Sequence, residues 1–113
     1  MKRFEFVQFT DIPPVDCCCG TTRRAFVDVD YAPASAHYLE VSDEPKCHYH
    51  RKTTEIYLVL EGEGFLELDG EPVPVRPLSA VMIRPGCRHR AIGRMKIINI
   101  PVPRHDDADF FYD

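Results

Sequence analysis

Long hydrophobic runs are missing from this chain. No stretch approaches the ~20 consecutive apolar residues that cross a bilayer as a helix, so no membrane partner is expected. Excess positive charge is missing too. Lys and Arg total 14 against 18 Asp and Glu, a formal net charge of −4. No overall basic balance exists to neutralise phosphates, and nucleic acid is not an expected partner. Nowhere does a sustained 3.6-residue periodicity with caps appear, which removes amphipathic helices and any helix-turn-helix module from the reading. The cysteines number five, Cys17, Cys18, Cys19, Cys47 and Cys87. An odd set argues against a closed disulfide framework and fits a reducing compartment. Residues 1–9 start basic, as a secretory signal does, but Glu5 and Gln8, with Asp11 just beyond, interrupt any apolar core. The expectation is a cytoplasmic protein whose N-terminus forms an edge strand.

What is present is a succession of short strands broken by turns. The length, 113 residues, suits one domain with a real core and is too short for two. A hydrophobic content of 44% and a charged content of 28% are ordinary for a globular protein. Strands are expected over 25–29, 36–41, 56–61, 65–68, 79–83 and 96–102, with residues 61–64 turning one strand into the next. Asp69-Gly70 is a strong hairpin signal. Three prolines within 71–77 confine that segment to an edge or an irregular strand. Eight to ten short strands at hairpin spacing predict an all-β fold, a single antiparallel β-barrel or jelly roll. The expected organisation is one domain over 1–113, with a core at about 24–102, an N-terminal strand and loop at 1–23, and an acidic, aromatic tail at 103–113.

One stretch carries chemistry. Cys47-His48-Tyr49-His50 is followed by Glu55 and then by the apolar strand that ends near Gly62. In a strand, residues i and i+2 face the same side, about 6–7 Å apart, so the two imidazoles can converge on one ion. In a helix they would point about 200° apart and miss each other. Downstream, Arg84-Pro85-Gly86-Cys87-Arg88-His89 is a tight turn that delivers another histidine into a new strand. Imidazole nitrogen with carboxylate oxygen suits a divalent first-row metal.

The pattern His48-x-His50, Glu55, Gly62, then Pro85-Gly86-x-x-His89 resembles the two motifs of the cupin family over about residues 36–102. Some motif positions differ. Ser42 and Leu78 stand where the family has glycine, Arg84 where it has proline, and Gly93 where it has asparagine. The resemblance implies a barrel or double-stranded jelly roll and one divalent transition metal (Fe, Mn, Zn or Ni) held by His48, His50, Glu55 and His89. Four protein ligands leave one or two positions on such an ion for water or substrate, which makes an open site rather than a structural one. Tyr57 shares the parity of Glu55 and is expected to face the interior, either to donate a proton or hold a ligand or simply to pack in the core. Glu55 and Tyr57 are the candidate catalytic groups.

The sequence leaves several functions open. The first is a metal-dependent enzyme acting on a small polar or carboxylated molecule, of dioxygenase or of isomerase or lyase type. Another is a barrel that binds a sugar or organic acid without turnover. A third is a regulatory domain acting through a separate protein. Arg84, Arg88, Arg90, Arg94 and Lys96 surround His89 and either favour an anionic substrate at the barrel mouth or form a solvated outer face. His37 reads as a surface or strand-packing histidine. Adjacent cysteines on a strand alternate in direction, so Cys17, Cys18 and Cys19 cannot all reach one ion and read as small buried hydrophobes or loop residues. Cys47 faces away from the site, whereas Cys87 has the parity of His89. His105-Asp106-Asp107 lacks the pre-organisation of a metal site. Phe110, Phe111 and Tyr112 are expected to pack on the barrel or on a second subunit, and with the proline-rich edge they point to a homodimer.

Overall fold

The structure, a computed structural model, describes residues 3–42 and 45–112. Its strands are β1 (Val15–Cys17), β2 (Gly20–Ala25), β3 (Ala36–Val41), β4 (His48–Tyr49), β5 (Thr54–Leu68), β6 (Glu71–Val75), β7 (Ala80–Ile83), β8 (His89–Val102) and β9 (Phe111–Tyr112). The only helical element among the described residues is a 3-10 turn at Phe9–Asp11. All pairings are antiparallel. The order β1-β2-β3-β8-β4-β9 forms one path, and β8 also pairs along its length with β5, which carries β6 and β7. The result is the all-β, curled antiparallel sheet expected from the strand pattern.

Side-chain parity explains how the sheet closes. Along β8, His89, Ala91, Met95, Ile97, Asn99 and Pro101 are buried, and the residues between them turn outward. Along β5 the inward set begins as Glu55, Tyr57 and Val59. A bulge between Val59 and Glu61 then shifts the register by one residue, so that the even-numbered Leu66 faces inward opposite Ala91. Leu66 and Ile97, both fully buried, anchor the core with Val59, Val41 and Ile83.

The structure corrects several strand assignments. Residues 61–64 do not turn; β5 runs through them as one bent 15-residue strand. Gly64 serves a close crossing, because a Cβ there would lie 2.2 Å from the Ile92 carbonyl oxygen. The expected strand at 25–29 instead ends at Ala25, where Phe26 takes φ 68° and turns the chain out of the sheet. Residues 3–8 form no strand. The chain enters the sheet only after the 3-10 turn, where the Arg23 guanidinium on β2 donates to the carbonyls of Phe9, Thr10 and Ile12. Met1 and Lys2 of that expected strand lie outside the described residues, as do Asp43 and Glu44 of the expected turn at 42–45. The Asp69-Gly70 hairpin is present, with φ 48° and 84°, and joins β5 to the proline-bearing edge strand β6. Sheet pairing extends beyond residues 24–102 on both sides, through β1 and β2 and through β9.

Candidate metal centre

Three strand segments bring the expected ligands together. On β4, His48 is the register partner of His89, the first residue of β8. His50 follows β4, and its carbonyl accepts from the Gly86 amide at 2.7 Å, which ties the two motif turns together. Glu55 points inward from β5 between Ile83 and Pro101. The ligand atoms of His48, His50, Glu55 and His89 all lie within 4.8 Å of one another, and all four residues are buried, His89 at 1% exposure.

The hydrogen bonds behind the imidazoles set what they present in front. His50 Nδ1 lies against the Asp109 carbonyl, and His89 Nδ1 lies 2.9 Å from the Cys87 carbonyl. A carbonyl only accepts, so both Nδ1 atoms carry protons, and in the neutral ring Nε2 is left as a lone pair. Those lone pairs face a carboxylate. His50 Nε2 is 2.6 Å and His89 Nε2 is 3.2 Å from Glu55 Oε1. Nonetheless these atoms, with His48 Nδ1, are buried without a properly directed hydrogen bond. Converging acceptors this close call for a cation or a proton between them.

The electrostatics agree. Burial alone would raise the Glu55 pKa, but contacts from His50 and His89 outweigh it and hold the carboxyl well below the usual range. Burial, and then repulsion from His89, push His48 down to about 3, so it stays a neutral ligand. Burial disfavours the His50 imidazolium, yet the adjacent Glu55 carboxylate raises its pKa on balance. Without a cation, a proton on His50 relieves the cluster. With one, the three nitrogens and one oxygen form a donor set that fits a divalent first-row ion.

The C-terminal tail covers this centre in cis. Strand β9 pairs with β4, and Phe110 stacks on His48 with centroids 4.5 Å apart and planes at 11°. Within the chain the tail aromatics pack on their own barrel, Phe110 on His48 and Phe111 on Tyr49. Asp109 anchors the tail. Its carboxylate accepts from the amides of Arg51, Lys52 and Thr53 at 2.7–3.0 Å and from Thr53 Oγ1 at 2.8 Å. This residue had no signal in the sequence, since its partners lie 56–58 positions away.

A cavity of about 340 Å³ opens beside the cluster. Tyr57 lines it as expected, and burial raises its pKa so that it remains a phenol. His37 lines it as well, buried rather than on the surface. The cation that reaches the cavity is Arg24 on β2, not any of those around His89. Arg88 stacks over Tyr49 at 3.6 Å, Arg90 pairs with Glu67, Lys96 pairs with Glu61, and Arg84 and Arg94 are exposed. Cys17, Cys18 and Cys19 all border the cavity, because a turn at Cys18–Cys19 breaks the strand alternation assumed for them. Cys17 Sγ and Cys19 Sγ are 3.5 Å apart. Cys87 packs against the core instead. Among the described residues, His105-Asp106-Asp107 forms no metal-competent cluster; His105 binds Asp107 at 2.6 Å.

The cupin domain family matches residues 37–98, and the chain belongs to this family. A solved protein from Planctomyces limnophilus is 36% identical over 96% of each chain, with a TM-score of 0.89. At lower identity the fold is shared with Streptomyces Pac13, a nucleoside dehydratase (16% identity, 99% of this chain and 92% of that one, TM-score 0.85). Ectoine synthase from P. lautus shares it too (18% identity, 97% and 90%, TM-score 0.78). No curated protein matches the chain.

Proposed function

We propose that this chain is a metal-dependent enzyme of lyase or isomerase type, acting on a small polar molecule. The observation that carries this reading is the convergence of His48, His50, Glu55 and His89, with two ring tautomers fixed from behind, onto one point beside a cavity. These four residues would hold a divalent metal, which when bound would supply Lewis-acid polarisation of a substrate oxygen.

The chain's own residues supply the rest. Tyr57 keeps its proton and lies with its ring 6.1 Å from that of His89, placed to hold or protonate an oxygen of the substrate. Glu55 is engaged by two imidazoles and acts as an anionic ligand, leaving Tyr57 as the acid. Phe110 shields one face of the centre from water. Groups that hold or pass protons surround the cavity, which favours acid–base chemistry over the dioxygenase alternative. The nucleoside dehydratase with the same fold supports the same choice.

The test is metal content and turnover of wild type beside His48→Ala, Glu55→Ala and Tyr57→Phe. Near-stoichiometric metal should vanish in the first two. In Tyr57→Phe it should persist while turnover falls by about 10²–10⁴. Folded wild type that takes up no metal on reconstitution would sink the proposal.

A further inference from the structure

Register lines up four polar side chains across four adjacent strands. Arg24 on β2 pairs with His37 on β3, His37 with Asn99 on β8, and Asn99 with Tyr57 on β5. All four border the cavity, one inward position along β5 from Glu55. The next row, Thr22, Leu39, Ile97 and Val59, is apolar after its first member. Small barrels fill such rows with side chains that pack, and a buried polar row costs free energy unless every member finds a partner.

Partners within the chain are incomplete. Arg24 Nε and Asn99 Oδ1 are buried without a hydrogen bond, and so is Thr22 Oγ1 on the same face of β2 as Arg24. Thr22 is 2% exposed and Asn99 8%. His37 is tied to Ser35, its Nε2 lying 2.9 Å from Oγ. Asp107, which also lines the cavity and feels the charge of Arg24, has its Oδ1 engaged by His105. Arg24 makes no ion pair among the described residues.

We infer that this row recognises a substrate with a carboxylate at one end and a hydroxyl or amino group along its length. Arg24 takes the carboxylate, whose two oxygens match the planar guanidinium fork. Asn99 Oδ1 accepts from the substrate's hydroxyl or amine. Tyr57 closes the row at the end beside the metal centre. The cavity volume of about 340 Å³ is near the lower bound of ligand pockets, which limits the substrate to a small hydroxy or amino acid. The inference deepens the metal-enzyme reading and rests on it for the fate of the substrate.

The experiment is calorimetric titration of the metal-loaded protein with glycerate, malate and gluconate, each beside its uncharged counterpart glycerol, malamide or sorbitol. At least one acid should bind 10-fold or more tightly than its counterpart. Arg24→Gln should erase that preference, Arg24→Lys should keep part of it, and Asn99→Leu should weaken acid and counterpart alike. Metal content should stay at the wild-type level in Arg24→Gln, because Arg24 lies outside the cluster, and a thermal melt checks that the variant folds. Metal-loaded wild type in which no acid outbinds its counterpart would overturn the inference. So would a folded Arg24→Gln variant that keeps the preference. A wild type without metal refutes the enzyme reading instead, and the same titration on that protein still judges the row.

Discussion

Replacing Asp109 with alanine should destabilise the protein by about 3 kcal/mol and weaken metal binding at the same time. The carboxylate accepts four hydrogen bonds, from three successive amides and the Thr53 hydroxyl. Bonds to a charged acceptor are worth ~1.5–3 kcal/mol each, but the sum overstates the loss. Arg51 and Lys52 are exposed, so water can replace the acceptor at their amides. Thr53 is buried, and its amide and hydroxyl would be left bare at about 1–3 kcal/mol each. Asp109→Asn keeps one acceptor oxygen for the Thr53 pair and should cost only about 1–2 kcal/mol. The link to the metal runs through the main chain. The Asp109 carbonyl receives the proton of His50 Nδ1, so a loosened tail frees that imidazole to turn. Loss of such an outer contact typically weakens metal binding by about 10–100-fold. Urea denaturation of chelated protein measures the first effect, and competition with a chromophoric chelator measures the second. Stability within ~0.5 kcal/mol of wild type, the range of an ordinary surface change, together with unchanged metal affinity would refute the reasoning.

Two further changes test the fold around the centre. Leu78 holds φ 74° while 82% exposed, so it carries the steric cost of a left-handed residue with little packing in return. Leu78→Gly should stabilise by about 0.5–1 kcal/mol after the entropy of the freer unfolded chain is subtracted, raising Tm by a few degrees, and a lower Tm would contradict the assignment. His37 is pushed down to about 4, chiefly by burial and then by repulsion from His105 and Arg24. A depressed histidine pKa means the unfolded chain takes up its proton first. Stability is therefore full above the unfolded value near 6.5 and falls as pH drops toward 4, by about 3 kcal/mol from this residue. Chelated His37→Gln should show a shallower acid slope than wild type in urea titrations from pH 7 to 4, and parallel slopes would rule out His37 as the source.

Ligands and their support are encoded at different ranges. His48 and His50 share a face because a strand alternates, and Pro85-Gly86 turns the chain into His89; each of these is local and could be read from a few residues, whereas Glu55 is placed by the motif resemblance, since its strand is apolar on both faces. Parity also placed Tyr57 inside and Cys47 away from the site, and it could have flagged Asn99, which has the parity of His89. It failed where its premise failed. Cys17 to Cys19 form the end of a strand and a turn, so alternation does not apply. The bulge after Val59 reverses which β5 residues face inward, and Gly62 and Gly64 signal a close crossing with the same residue type that signals a turn. Parity says which way a side chain faces but not which rung it shares. The row from Arg24 to Tyr57 exists only because β2, β3, β8 and β5 adopt one particular register, which brings together residues as far apart in sequence as Arg24 and Asn99. Asp109 is more remote still. Its carboxylate binds a turn 56–58 residues earlier, and nothing around it distinguishes it from Asp106 or Asp107. The candidate metal ligands are thus written in short motifs, while the groups that orient them and the polar row proposed to recognise a substrate are set by pairings that only the closed sheet creates.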